Sequence, residues 1–179
     1  PSQADDIRDF QIEGVSLGDS LLDYLSEEEI KANSQNFPGG GKYFYVAIYD
    51  SKYFNVFDGV QFLHKKSDRM YKIYSITGYI DYDKNIDGCY KKLNELDKEL
   101  SILFKDAKRS IPKTVKHPAD KSGKSTIKEI FYDFPSSGDV ASISCADWSS
   151  KMNYPDALYV NLDLQEVRNP PRCYNGYCY

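Results

Sequence analysis

Apolar residues recur along this chain with two periods, and the change from one to the other divides it. Between Tyr43 and Tyr82 the period is close to two. Tyr43 to Tyr49, Phe54 to Lys65 and Tyr71 to Tyr82 read as strands joined by short turns, with Asp58-Gly59 inside the second and Gly78 as a bulge in the third. From about Asp87 to about Lys108 the period becomes three to four. Cys89, Leu93, Leu96, Leu100, Leu103 and Phe104 then form the buried stripe of one long helix, with Lys, Glu and Asp on its other faces. Strands resume at about 126–134, 139–147 and 157–167.

Ahead of the meander, Ser16-Leu17-Gly18-Asp19 reads as a variant capping box, with Leu17, Leu21, Leu22 and Leu25 as the apolar side of a short helix. Ser26-Glu27-Glu28-Glu29 is a second box, so a broken helical hairpin is expected. Residues 109–125, rich in lysine and carrying Pro112, Pro118 and Gly123, read as a solvated loop. The predicted fold class is α+β: a single antiparallel sheet of five to six strands, with the broken N-terminal helical hairpin and one long helix packed on one face. The other face is left half-exposed. Residues 1–8 form an N-terminal segment following an export signal, 9–168 a single α+β domain, and 169–179 a C-terminal tail with a Cys-loop.

Composition narrows the function classes. A chain of 179 residues with 41% hydrophobic content buries an ample core without metals. Its net charge of −4 argues against tracking a phosphate backbone, and no apolar run reaches the roughly 18 residues of a membrane span. No nucleic-acid partner and no membrane-spanning segment are expected. Pro1-Ser2-Gln3-Ala4 carries small residues where a signal peptidase reads them, which points to a periplasmic or secreted protein. The four cysteines agree with that compartment. Cys89 faces inward on the helical stripe, and Cys145 shares an inward strand face with Ala141 and Ile143. Cys173 and Cys178 flank the turn dipeptide Asn175-Gly176. Of three connectivities the favoured one is Cys89–Cys145 with Cys173–Cys178.

Three features bear on chemistry. Asp83, Asn85, Asp87 and Gly88 match the opening half of a calcium loop, whose oxygen ligands at alternate positions converge around a sharp Gly turn. Position 12 is Asn94 rather than Glu, so a polar cap for the following helix competes with the metal. His64 and His117 lie far apart and read as surface histidines. Tyr43, Tyr45 and Tyr49 share one strand parity, as do Tyr74 and Tyr82, so an aromatic strip across adjacent strands is expected; cross-strand packing is its more common role, and binding of sugars, peptides or a partner strand the functional one.

Gly18-Asp19-Ser20-Leu21 resembles the first block of the GDSL esterases, a likeness that implies a nucleophilic Ser20. The chain lacks the later G-x-N-D and D-x-x-H blocks of that family, and with them the base that activates the serine. The stretch from Phe10 to Tyr24, followed by the aromatic meander and the cysteine-bearing helix, resembles small exported proteins of unknown function from marine bacteria; this implies a compartment and no activity. Ile12-x-Gly14-x-Ser16, a short helical pair and a meander are also similar in plan to BamE/SmpA-like modules, from which the chain departs by its long helix and additional strands. The expectation is a non-catalytic binding or protein-interaction module without a cofactor, its partner a protein or a small ligand. The alternatives are a small esterase using Ser20 and a calcium-stabilised carbohydrate- or peptide-binding domain.

Overall fold

Short-range rules account for the first elements. The computed structural model describes residues 6–36, 41–49 and 52–167, and the backbone of 173–174 and 177–178. A small hairpin pairs β1 (Gln11–Ile12) with β2 (Val15–Ser16). Ser26 then caps α1 (Glu27–Asn33): its hydroxyl accepts the Glu29 N–H while the Glu29 carboxylate accepts the Ser26 N–H, the reciprocal capping box expected there. The first half of the predicted helical hairpin is corrected. Where its first helix was expected a 3-10 turn, Leu21–Asp23, forms instead, because the backbone around it is spent on tertiary pairing. The Gly18 N–H donates to the Ile73 carbonyl, Ile73 N–H to Asp19, and Leu21 N–H to Tyr71.

Next come β3 (Ser34–Asn36), β4 (Tyr43–Ile48), β5 (Gly59–Lys65) and β6 (Ser75–Asp81), each antiparallel to the one before. Then α2 (Ile86–Leu103) carries the chain across the sheet to its far side. Here β7 (Lys108–Arg109), β8 (Lys113–Lys116), β9 (Thr126–Asp133), β10 (Val140–Asp147) and β11 (Ala157–Asp163) return inward until β11 pairs with β6. The order is β3-β4-β5-β6-β11-β10-β9-β7, with β8 also on β9. Beyond the sheet, β12 (Cys173–Tyr174) pairs with β13 (Tyr177–Cys178).

The predicted fold class is therefore overturned. Among the described residues, two α-helices and a nine-stranded antiparallel sheet make this a mostly β structure rather than five to six strands under one long helix. The undercount has a physical cause. β3, β7 and β8 are short, mostly polar edge strands with no fully buried side chain, so no alternation marks them. The segment read as a solvated loop holds β8, and a bulge separates it from β7. Arg109 faces Tyr132 while Lys113 faces Glu129, so one strand advances four residues where β9 advances three. Ser110 seals the gap, its N–H donating to the Phe131 carbonyl at 2.8 Å and its hydroxyl accepting the Phe131 N–H at 2.9 Å.

Register assigns the faces. Val46, Phe62, Ile76, Leu162, Ala141 and Tyr132 oppose one another in turn across six strands, and the main core lies on this face under α1 and α2. The α2 residues Cys89, Leu93 and Leu100 pack here, as the helical stripe predicted. The opposite face carries a polar row, in which the Thr77 hydroxyl donates to Asn161 Oδ1 at 2.8 Å and Asn161 Nδ2 to the Ser142 hydroxyl at 3.2 Å. One end of that face is covered by a second cluster of Tyr79, Ile127, Ala146, Trp148, Ala157 and Tyr159.

Candidate functional site

The predicted disulfide between helix and strand is present. Cys89 at the start of α2 is bridged to Cys145 on β10, with Cα atoms 6.1 Å apart and both side chains fully buried. In the tail, Cys173 and Cys178 face each other across β12 and β13; their side chains lie outside the described residues.

Ser20 is held as a structural group. Its hydroxyl donates to the Met70 carbonyl at 2.5 Å and accepts the Leu22 N–H at 3.2 Å, capping the 3-10 turn. The proton that a general base must remove is committed to a carbonyl, and neither histidine is among its hydrogen-bond partners. Both histidines are buried rather than on the surface. His64 lies against Phe44 and Tyr71, and His117 lies 4.0 Å from the Trp148 ring. Next to His117, Asp120 accepts the Ser125 hydroxyl at 2.7 Å and the Ser149 hydroxyl at 3.0 Å, while His117 Nδ1 accepts the Ala119 N–H. Serine, histidine and aspartate thus meet without the order of a triad, because the acid holds the serines instead of orienting the imidazole. The assembly clasps two loops.

At the calcium-like turn, Asn85 Oδ1 accepts the Gly88 N–H at 3.0 Å and caps α2, and the Asp83 carbonyl accepts the Asp156 N–H at 2.5 Å. The oxygen at position 3 of the loop motif is thereby engaged by the helix. Burial, with Asp58 and Asp83 nearby, pushes the Asp81 carboxyl above the usual range. Among the described residues no group of three or more His, Cys, Asp or Glu converges as metal ligands do.

The five predicted tyrosines do not form one strip. Tyr43 and Tyr45 lie on β4 and Tyr49 just after it, whereas Tyr74 precedes β6 and Tyr82 follows it, outside the strand alternation on which a shared parity depends. Tyr43 and Tyr74 meet edge-on at 5.9 Å at one end of the sheet, and both are buried. Tyr45 is buried and donates to Gln35 Oε1 at 2.6 Å. Tyr82 is half-buried against the core. Tyr49 alone of the five is open, with 56% of its surface exposed.

Tyr49 borders a pocket of about 550 Å³ between α1 and the end of β4, lined by Leu25, Glu29, Asn33, Ala47, Ile48, Lys52 and Tyr53 as well. That volume is in the range of small-ligand sites. Leu25, Ala47 and Ile48 supply apolar surface, and Tyr49 and Tyr53 supply aromatic surface. The polar groups are held in place. Glu29 is fixed by its capping box and accepts the Tyr53 hydroxyl at 2.8 Å; these bonds, that of the Ser26 N–H foremost, hold its carboxyl below the usual range. Asn33 Nδ2 donates to the Glu29 carbonyl at 2.8 Å, and Lys52 Nζ lies 4.6 Å from the Tyr53 ring centre. Of these residues sequence reasoning reached Tyr49 alone as a binding group. The capping box had marked Glu29 only as helix chemistry, and Tyr53 sits between strands where no period singles it out.

No helix among the described residues is long and apolar enough to cross a membrane. Comparison of the chain with protein-family models, with curated proteins and with solved structures yields no match, so the site rests on its own geometry.

Proposed function

We propose that this chain is a non-catalytic binding module of an exported protein, and that the pocket between α1 and β4 receives its ligand. One observation carries the reading: two tyrosines and the apolar side chains of Leu25, Ala47 and Ile48 line one cavity together with a carboxylate, an amide and an ammonium group. Such a site favours a small polar molecule with an apolar face, such as a sugar unit or a short peptide segment, because rings cover the apolar face while the fixed polar groups orient it. A buried disulfide between α2 and β10 supports the compartment, since such bonds persist outside the reducing cytosol. The likeness of the Phe10 to Tyr24 region to exported bacterial proteins points the same way.

The test is an NMR titration of isotope-labelled protein with mono- and disaccharides and with dipeptides. Shifts confined to 29–33, 47–49 and 52–53, and abolished by Tyr49→Ala, are expected. Absence of any such cluster with every compound removes the pocket as the ligand site.

A further inference from the structure

At the opposite end of β4 from the pocket, lysine ammonium groups are gathered on aromatic rings. Lys65 Nζ lies 4.3 Å and Lys72 Nζ 5.4 Å from the centre of the same Tyr74 ring, and Lys42 Nζ lies 5.3 Å from Tyr43, which is edge-on to Tyr74. Lys66 adds a fourth contact, 4.9 Å from the Phe44 ring, and is further held by Asn36 Oδ1 at 2.9 Å. Four such contacts therefore gather at one sheet end. Each ring fixes an ammonium group that would otherwise sweep through solvent, so an anion docking here loses less side-chain entropy. Five cations, Lys42, Lys65, Lys66, Arg69 and Lys72, gather here although the chain carries −4; Asp68 and Glu166 lie among them, and Asp19, Asp23 and Glu27 line the adjoining corner. Asp68 is turned to the backbone N–H groups of Met70 and Lys72, and Glu166 pairs with Lys65 at 2.6 Å while also lying within electrostatic reach of Lys42 and Lys72.

We propose that this end of the sheet binds an extended polyanion, an acidic polysaccharide whose sulfate or carboxylate groups bridge Lys42, Lys65 and Lys72. A thin chain suits the surroundings better than an anionic membrane does. The exposed corner formed by Leu22, Tyr24 and Met70 adjoins the cations but also carries Asp19, Asp23 and Glu27, which a charged plane brings into repulsion and a threaded polymer avoids.

The experiment is retention of the full chain on immobilised dextran sulfate at about 50 mM salt, with uncharged dextran as the blank. Retention that weakens as salt rises is expected. The triple variant Lys42→Gln, Lys65→Gln, Lys72→Gln should lose at least about tenfold in affinity, whereas Lys113→Gln, Lys116→Gln, Lys124→Gln, which removes equal charge from the β8 side, should lose little. Glu166→Gln should bind more tightly than the parent, a gain that a misfolded variant cannot produce. Equal losses in both triple variants, no retention of the parent, or binding to phosphatidylglycerol vesicles without binding to dextran sulfate overturns the proposal.

Discussion

The carboxylate of Asp97 on α2 and the hydroxyl of Tyr132 on β9 lie 2.6 Å apart, joining the long helix to the sheet by a polar bond at the edge of the core. Arg109 completes the arrangement, its Nε and Nη2 reaching the two Asp97 oxygens at 2.6 and 2.7 Å. Hydrogen bonding to Arg109, then to Tyr132, holds the Asp97 carboxyl below its ordinary range, while burial and the Asp97 bond push the Tyr132 phenol up to about 12. A depressed carboxylate stabilises the fold in its charged form. Its contribution is whole above about pH 4 and fades as pH falls through the lower folded value. Asp97→Asn should cost roughly 1–2 kcal/mol at neutral pH and flatten the acid limb of a urea-denaturation series; an unchanged limb contradicts this assignment.

The buried bridge from Cys89 to Cys145 closes a separation of 56 residues. In the chain-entropy account such a loop stabilises the fold by about 4 kcal/mol. Cys89→Ala with Cys145→Ala should lower the denaturant midpoint by a corresponding amount without altering the strand content seen by circular dichroism. In the native protein, alkylation without reduction followed by mass mapping should recover the Cys89–Cys145 peptide pair. Recovery of both thiols in alkylated form refutes the bridge.

Two glycines are required by aromatic rings laid over them. A Cβ on Gly59 would come 2.5 Å from Cε1 of Tyr79, directly across the strand pair, and one on Gly78 would come 2.7 Å from the Phe57 ring. Neither ring has a free path, since Tyr79 also neighbours Tyr49 and Tyr159, and Phe57 packs on the main core. Gly59→Ala and Gly78→Ala should each destabilise by about 1–3 kcal/mol. Adding Tyr79→Leu to Gly59→Ala should recover part of that loss, and strict additivity of the two changes argues against the ring contact.

His117 is held neutral by burial, its pKa lowered to about 4. The unfolded chain binds a proton at this residue near pH 6.5 and the folded chain only near pH 4, so between those values the unfolded state holds more protons and stability falls as pH falls. His64, also lowered by burial, contributes with the same sign. Thermal midpoints measured from pH 7 to pH 4 should decline less steeply in His117→Phe than in the parent. Because the imidazole lies 4.0 Å from the ring of the single Trp148, tryptophan fluorescence of the folded protein should change as pH passes through about 4; a flat signal contradicts this protonation.

Parts of this fold were legible because local geometry wrote them into the residue order. The stripe from Cys89 to Phe104 identified α2, Ser26 and Glu29 identified the start of α1, and the alternation around Cys145 placed its thiol on the inward face. Each signal spans a few residues and depends on backbone period alone. The missing pieces are those without a local signal. β3, β7 and β8 carry Ser, Gln, Asn, Lys and Arg along solvated edges, and their strand character comes only from the neighbours they pair with. The pocket was hidden for the same reason, since Tyr53 and Glu29 are 24 residues apart and meet only because α1 folds back beside the end of β4.

The sequence by itself determined the buried stripe of α2, the capped start of α1 and which two cysteines point inward. Tertiary structure decided that β11 lies beside β6, that the five tyrosines form no single strip, that Ser20 is bonded to a carbonyl, and that lysines gather on Tyr43 and Tyr74. Periods of 3.6 and 2 follow from bond geometry within a few residues, whereas strand order and site assembly are chosen by the summed free energy of contacts between distant segments, which no single segment records.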